Sequence, residues 1–308
     1  MALQNSGAIS IANIATEFGG SQPHSLNEYY RGGSFVTDNN TNVPTSGQIS
    51  LSNFYGAAKQ SSVVVSSSTT NLNVHTGLFG GDFTSNIPKL LIINSGVEIG
   101  ATSLSNYALT VPSGMGGTLT IQNAGTISGA GGDGSTSTSS AGGTGGTALY
   151  IASSNVTVTN TGTIRGGGGG GGKGADGADG NTNTVGGGNF YCRGGDGGAG
   201  GNGGNGQGYD QSQSNGTGGS GGTGRLAYLT YLYPNSPGAG PSTFECNNSG
   251  VYSDGQSGGD GGNGGTYGNA GGNGGNSGSN GGPAGKYIQL SGVSYTLSNS
   301  GTLQGNGP

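Results

Sequence analysis

The carboxylates Glu98, Asp133, Asp176, Asp179 and Asp196 are of the residue type that a glycosidase uses as its acid and base, but nothing in their spacing marks any two as a pair. His24 and His75 stand far apart, and lone histidines are more often structural than ligands. The stretch "GGKGADGAD", Gly171 to Asp179, matches one nonapeptide of a calcium-binding β-roll, yet such repeats hold metal only when stacked in tandem. "GGGGGGKG" has the outline of a phosphate loop. Gly174 stands where Ser or Thr should hold magnesium, however, and no apolar strand and helix bracket it. We therefore expect no enzyme, no metal and no cofactor. Cys192 and Cys246 both interrupt glycine tracts, which leaves open a disulfide pinning two loops or two free thiols.

Binding is the chemistry the residues favour. Three segments carry most of the aromatic rings in the second half of the chain: "NTNTVGGGNFYCR" (Asn181 to Arg193), "QGYDQSQSNG" (Gln207 to Gly216) and "RLAYLTYLYPNSPGAGPSTFECNNSGVY" (Arg225 to Tyr252). Phe190, Tyr191, Tyr209, Tyr228, Tyr231, Tyr233, Phe244 and Tyr252 are the candidate anchors, because a ring on a rigid loop brings large contact area at little entropic cost. Leu226, Leu229 and Leu232 fit better as packing beneath them.

What could hold such loops rigid is decided by glycine. Only 29% of the residues are hydrophobic, and 77 of 308 are Gly, a composition that reads as disorder unless a period is present. The period is there. In "GGDGGAGGNGGNG", Gly194 to Gly206, the other residues fall at Asp196, Ala199, Asn202 and Asn205, in steps of three. Asp260, Asn263 and Thr266 continue the step, and Ala270, Asn273, Asn276 and Ser279 resume it after a slip at Tyr267. A polyproline-II helix has three residues per turn and no internal hydrogen bonds. Bundled helices of this kind satisfy one another's backbones only where no Cβ intervenes, which demands glycine on every inner edge. The near absence of Pro from the tracts argues against collagen. A net charge of -5 with eight scattered Lys and Arg leaves no footprint for nucleic acid. No stretch is long and apolar enough to insert in a membrane, and no secretion signal opens the chain.

Around the tracts lies a second repeat. "LTIQNAGTISG" (Leu119 to Gly129), "VTVTNTGTIRG" (Val156 to Gly166) and "YTLSNSGTLQG" (Tyr295 to Gly305) share one pattern, with "LIINSGVEIG" (Leu91 to Gly100) as a weaker copy aligned on Asn94. Each reads as one rung of a β-solenoid or a stacked hairpin, with Gly125, Gly162 and Gly301 expected at positive φ in the corner. Because the last rung follows the glycine region, that region is an excursion anchored at both ends. At the N-terminus "SGAISIANI" and "SGQISLSNF" echo each other and suggest two apolar elements facing one small core. The expected fold is mainly β and irregular: an N-terminal module over 1–59, a β-rung platform over 60–165, a glycine-helix sandwich with aromatic loops over 166–286, and a closing rung over 287–308.

At "NTGTIRGGGGGGG" (Asn160 to Gly172), followed by glycine tracts broken by aromatic loops, the chain resembles, over roughly residues 119–308, the distal adhesins of T-even-like bacteriophage long tail fibres. That resemblance implies a polyglycine-II sandwich whose projecting loops bind an outer-membrane protein or a glycan of the host, on a virion tail or fibre tip. The stretches "IATEFGGSQPHSLNEYYRGG" and "VPTSGQISLSNFYGA" look like a short module of phage tail and virion proteins, which implies attachment to a tail or fibre protein through residues 1–59. A single cap and a homotrimer both remain open. The rival readings are a tail or baseplate component whose loops contact other virion proteins, and an ice-binding protein with a flat glycine-helix face.

Overall fold

The computed structural model describes residues 3–38, 40–179, 197–221 and 256–308, together with the backbone of residues 183–185, 190–193 and 226–228. At the N-terminus, α1 (Ile11–Phe18) is closed by a capping box between Ser10 and Asn13, in which each side chain serves the other's backbone N–H. Ser50 and Asn53 repeat the box on a short 3-10 turn, Leu51–Phe54. The two halves of the echo meet in one core, where Ile14 and Phe54 are fully buried with Tyr29, Val36 and Val43. Their tyrosines cross over: the Tyr55 hydroxyl donates to Gly7 O, and the Tyr30 hydroxyl donates to Gly47 O.

Beyond this module the chain circulates through three parallel sheets, adding one strand to each as it passes. The first circuit comprises β1 (Ser61–Val65), β2 (Thr69–Thr70) and β3 (Leu72–Asn73), and the second β4 (Lys89–Ile93), β5 (Glu98–Gly100) and β6 (Leu109–Val111). The third holds β7 (Leu119–Asn123), β8 (Thr126–Ser128) and β9 (Leu149–Ile151), and the fourth opens with β10 (Val156–Asn160) and β11 (Thr163–Arg165). A separate antiparallel sheet of β12 (Asn183–Val185), β13 (Phe190–Arg193) and β14 (Leu226–Tyr228) intervenes before β15 (Ile288–Leu290) completes the fourth circuit. β16 (Tyr295–Asn299) and β17 (Thr302–Gln304) form the fifth. The sheet orders are therefore β1-β4-β7-β10-β16, β2-β5-β8-β11-β17 and β3-β6-β9-β15.

Alternation along each strand makes one face of every sheet apolar. Leu91, Ile121 and Val158 from the first sheet, Ile99, Ile127 and Ile164 from the second, and Leu109, Leu149 and Ile288 from the third fill a common core at zero exposure. The inward position at the head of β4 is Lys89, whose ammonium donates to Ser85 O, Ile87 O and Gly116 O at 2.8, 2.9 and 2.7 Å. Burial lowers its pKa, and the nearby Asp82 opposes the shift.

The corners correct two sequence expectations. None of Gly125, Gly162 and Gly301 has positive φ. They are glycine because the circuits stack so closely that a Cβ would fall within 3.0 Å of a neighbouring carbonyl, that of Val97 for Gly125, Gly125 for Gly162 and Gly162 for Gly301. In addition Ile93, not Asn94, pairs in register with Asn123, so the weak copy is displaced by one residue. Asn123, Asn160 and Asn299 form an amide ladder with Nδ2 to Oδ1 distances of 2.7 Å. The ladder stops at Ile93, which has no amide to offer, and Asn123 Oδ1 is left buried without a partner among the described residues.

Residues 74–88 fold into short helical turns between the third and first sheets, but the two longest excursions leave from another corner, between the second and third sheets. That corner is Asn71 in the first circuit, residues 101–108 in the second, 129–148 in the third and 166–287 in the fourth. The last two make a slab of extended segments held by lateral hydrogen bonds. Its central tract, 166–178, has six neighbours. Gly167 and Gly170 donate to segment 142–146, Gly168, Gly171, Gly174 and Gly177 to 197–207, and Gly169, Gly172 and Ala175 to 269–275. Carbonyls of the same tract accept from 129–135, 256–265 and 279–285, again at every third residue. A Cβ on Gly168, Gly169, Gly170, Gly171 or Gly172 would fall within 3.0 Å of a neighbour's carbonyl. The unbroken glycine run thus has no free edge on which to carry a side chain. Segments 129–135 and 142–146 belong to this slab, which therefore begins inside the range that composition assigns to the β-platform.

Candidate functional site

The outer tracts show what the remaining residue types are for. In 197–207, Gly198, Gly201 and Gly204 are buried, while Ala199, Asn202 and Asn205 are exposed; Asp196 lies outside the described residues. A tract at the rim of the slab has backbone N–H groups that face no backbone carbonyl, and side-chain oxygens of the third-position residues take them. Asp176 Oδ1 accepts from Gly200 N and Asp179 Oδ1 from Gly197 N, both at 2.8 Å. Asp260 Oδ1 accepts from Gly219 N at 3.0 Å, Asn263 Oδ1 from Gly216 N at 3.1 Å and Asn273 Oδ1 from Gly281 N at 3.0 Å. These bonds give Asp176, Asp179, Asp260, Asn263 and Asn273 a structural role as acceptors at the rim. The Gly200 N–H, and then Lys173 at 3.2 Å, hold the Asp176 carboxyl below the usual carboxylate range.

Tract directions sort the connections into two ends. Tyr209 N donates to Gly129 O, beside the end of β8, so the turn after tract 197–208 lies against the parallel sheets. The Tyr209 ring occupies the space a Cβ of Gly100 would need. Tyr209 is therefore at the near end of the slab, away from the other candidate anchors. A second near-end turn puts the Tyr267 ring 3.7 Å from the Arg165 guanidinium. Arg165 also donates to Ser128 Oγ at 2.9 Å and pairs with Glu98 at 3.1 Å. Burial, followed by the smaller opposing effect of Arg165, sets a raised Tyr267 pKa. Sequence reasoning did not single out this cluster. The slip of the three-residue period at Tyr267 was its only trace.

At the far end the chain leaves the slab after Asp179 and returns at Gly197, and leaves again after Gly221 and returns at Gln256. Both aromatic regions thus spring from the same end. In the small sheet there, Phe190 pairs with Val185 and Tyr191 with Thr184 on one side, and Tyr191 with Tyr228 on the other, in backbone register. Phe190, Tyr191 and Tyr228 are thereby gathered on adjacent strands, whereas Tyr231, Tyr233, Phe244, Tyr252 and Cys246, the second cysteine of the candidate disulfide with Cys192, lie outside the described residues.

The other chemistry-bearing residues are dispersed. His24 Nδ1 lies 3.2 Å from the Tyr29 hydroxyl, and His75 stacks on Phe83 at 4.6 Å between ring centroids. Glu98 is committed to Arg165. Among the described residues no group of three or more His, Cys, Asp or Glu side chains is placed to hold a metal ion, and no helix is long and apolar enough to cross a membrane.

Comparison with known proteins agrees with this architecture. A chain in the crystal structure of the gp37-gp38 adhesin tip complex of the bacteriophage S16 long tail fibre matches with a TM-score of 0.54 and 19% sequence identity, over 100% of this chain and 100% of that one. At that identity the likeness speaks for the fold. Curated proteins yield no match. The family model described as phage tail fibre adhesin Gp38 matches residues 60–308, the parallel sheets and the glycine slab together, and the chain belongs to that family.

Proposed function

We propose that this protein is the receptor-binding adhesin of a bacteriophage tail fibre, whose slab of polyglycine-II helices, rooted in a three-sided β-solenoid, presents aromatic loops to a bacterial surface protein or glycan. The carrying observation is that residues 180–196 and 222–255 both leave from the far end of a slab whose central tract is bonded on six sides. A scaffold satisfied in every lateral direction is stiff, and stiffness lets Phe190, Tyr191, Tyr228, Tyr231, Tyr233, Phe244 and Tyr252 act as anchors without a large ordering cost. Recognition is non-covalent and needs no cofactor or catalytic step. The N-terminal module, with its own core, is the part we assign to attachment on the fibre, and the virion tail fibre is the site of action. Replacing Arg225 to Tyr252 with the corresponding loop of a related adhesin is expected to change host range and to abolish adsorption to the original host. Unchanged adsorption would favour a purely structural tail component, and thermal hysteresis of the isolated protein would favour ice binding.

A further inference from the structure

An Asn-Gly pair is a chemical weak point in any chain. The glycine nitrogen attacks the asparagine Cγ, the side-chain amide leaves as ammonia, and water opens the resulting succinimide. Opening at one carbonyl gives aspartate, and at the other isoaspartate, which adds one atom to the main chain. The described tracts are rich in such pairs, and one more stands at Asn306-Gly307. The asparagine is exposed in every one of them, so burial of the side chain does not tell them apart. What differs is the state of the attacking nitrogen.

In four pairs the glycine N–H is donated to a backbone carbonyl of a neighbouring tract: Gly203 to Ser135, Gly206 to Gly132, Gly264 to Ser214 and Gly274 to Ser279, at 2.8 to 3.0 Å. In two more, at the rim, it is donated to a side-chain oxygen, Gly216 to Asn263 Oδ1 at 3.1 Å and Gly281 to Asn273 Oδ1 at 3.0 Å. A polyproline-II backbone also holds ψ near about +145°, which turns the following nitrogen away from Cγ. Ring closure must rotate that bond, and in a tract held by its neighbours the rotation disturbs the lateral bonds beyond it as well. Asn306 is placed differently. Gly307 N has no partner among the described residues, and Gly307 and Pro308 are exposed. Closure there breaks the bond from Tyr287 N to Asn306 O at 3.1 Å and the bond from Asn306 Nδ2 to Ala284 O at 2.8 Å, but opens no tract.

We propose that the lateral bonding of the slab shields its Asn-Gly pairs from succinimide formation, and that Asn306 is the site at which the folded chain deamidates. The rim tolerates one product and not the other. Asp260 and Asn263 already serve alike as acceptors, so aspartate keeps the bond, whereas isoaspartate lengthens a tract by one main-chain atom and breaks its three-residue step. At Asn306 either product replaces an amide that donates to Ala284 O with a carboxylate that cannot, which loosens the tie between the end of β17 and the root of the slab. Neither part rests on the adhesin reading.

The test incubates the full chain, folded and in guanidinium chloride, at mildly alkaline pH in heavy-oxygen water, and follows each pair by peptide mass spectrometry. The isotope separates deamidation during incubation from deamidation during digestion in ordinary water. In denaturant all the pairs are expected to react at similar rates. In the folded chain Asn306 is expected to react first and Asn215 and Asn280 next. Asn202, Asn205, Asn263 and Asn273 are expected to react at least about tenfold more slowly than in denaturant, because several lateral bonds must open together. Equal rates in the folded and denatured chain at those four pairs would overturn the shield. A rate at Asn306 no higher than theirs in the folded chain would overturn its assignment as the reactive site.

Discussion

In the parallel sheets, Leu119, Ile121, Val156 and Val158 hold neighbouring circuits together by burying side chains, and glycine is needed only at the corners where circuits crowd. In the slab, tract 166–172 contributes no side chain at all and is held by the hydrogen bonds that the missing Cβ atoms allow. The first region draws on the hydrophobic effect, which is non-directional and tolerant of volume-conserving change. The second draws on backbone bonds worth about 0.5–1.5 kcal/mol each, set against the cost of ordering the most flexible residue. A side chain therefore means opposite things in the two regions: in the sheets its loss opens a cavity, and in the slab its gain forces strands apart.

The largest effect should come from violating that rule at the centre of the slab. Gly171→Val places a branched side chain against Gly262 O and is expected to exceed the ~4–5 kcal/mol that marks exceptional substitutions. Gly201→Val, against Thr217 O, should follow it closely, whereas Asn202→Val on the exposed edge should stay within about 0.5 kcal/mol. Equal melting temperatures for Gly201→Val and Asn202→Val would erase the distinction between inner and outer edges.

An intermediate effect is expected where the sheets borrow the logic of the slab. Asn160→Leu breaks both steps of the amide ladder and leaves the buried Asn123 amide only its bond to Thr163 O, at a cost of about 1–3 kcal/mol measured by denaturant unfolding. No loss of stability would mean that the ladder is incidental to apolar packing. The smallest effect belongs to the rim. The Asp176 pKa is lowered in the folded state, so its contribution is present above the unfolded value and vanishes as pH falls through the folded one. Asp176→Asn should melt slightly below the parent protein at neutral pH, and the two curves should converge in acid. A gap independent of pH would exclude the charge as its source.

The three-residue step and the N-x-G-T rung could be read in the sequence because each repeats a local physical requirement several times. Relations set by stacking could not. Gly125 looks like a turn glycine, and only the carbonyls of Asn94 and Val97 in the preceding circuit reveal why it cannot be anything else. The same holds for Ile93, whose place beside Asn123 depends on register and not on likeness. Segment 129–146 has the glycine of the slab but a serine run in its middle, and its membership emerges from pairing with 165–171 and 280–286. The Glu98, Ser128, Arg165 and Tyr267 cluster joins residues from four separate stretches; the first three lie in rung copies, but at positions that the rung pattern leaves unspecified. Tyr209 is the instructive exception among the rings: its composition matched the loops, and its position did not.

The corner between the second and third sheets accepts one residue in the first circuit and the whole of 166–287 in the fourth, while β11 and β15 keep register with their neighbours on either side of the gap. The corner thus acts as an insertion port, tied to the sheets at its near end through Tyr209 and Tyr267. Its far face can be rewritten genetically while the sheets stay unchanged, provided each added stretch of tract arrives three codons at a time.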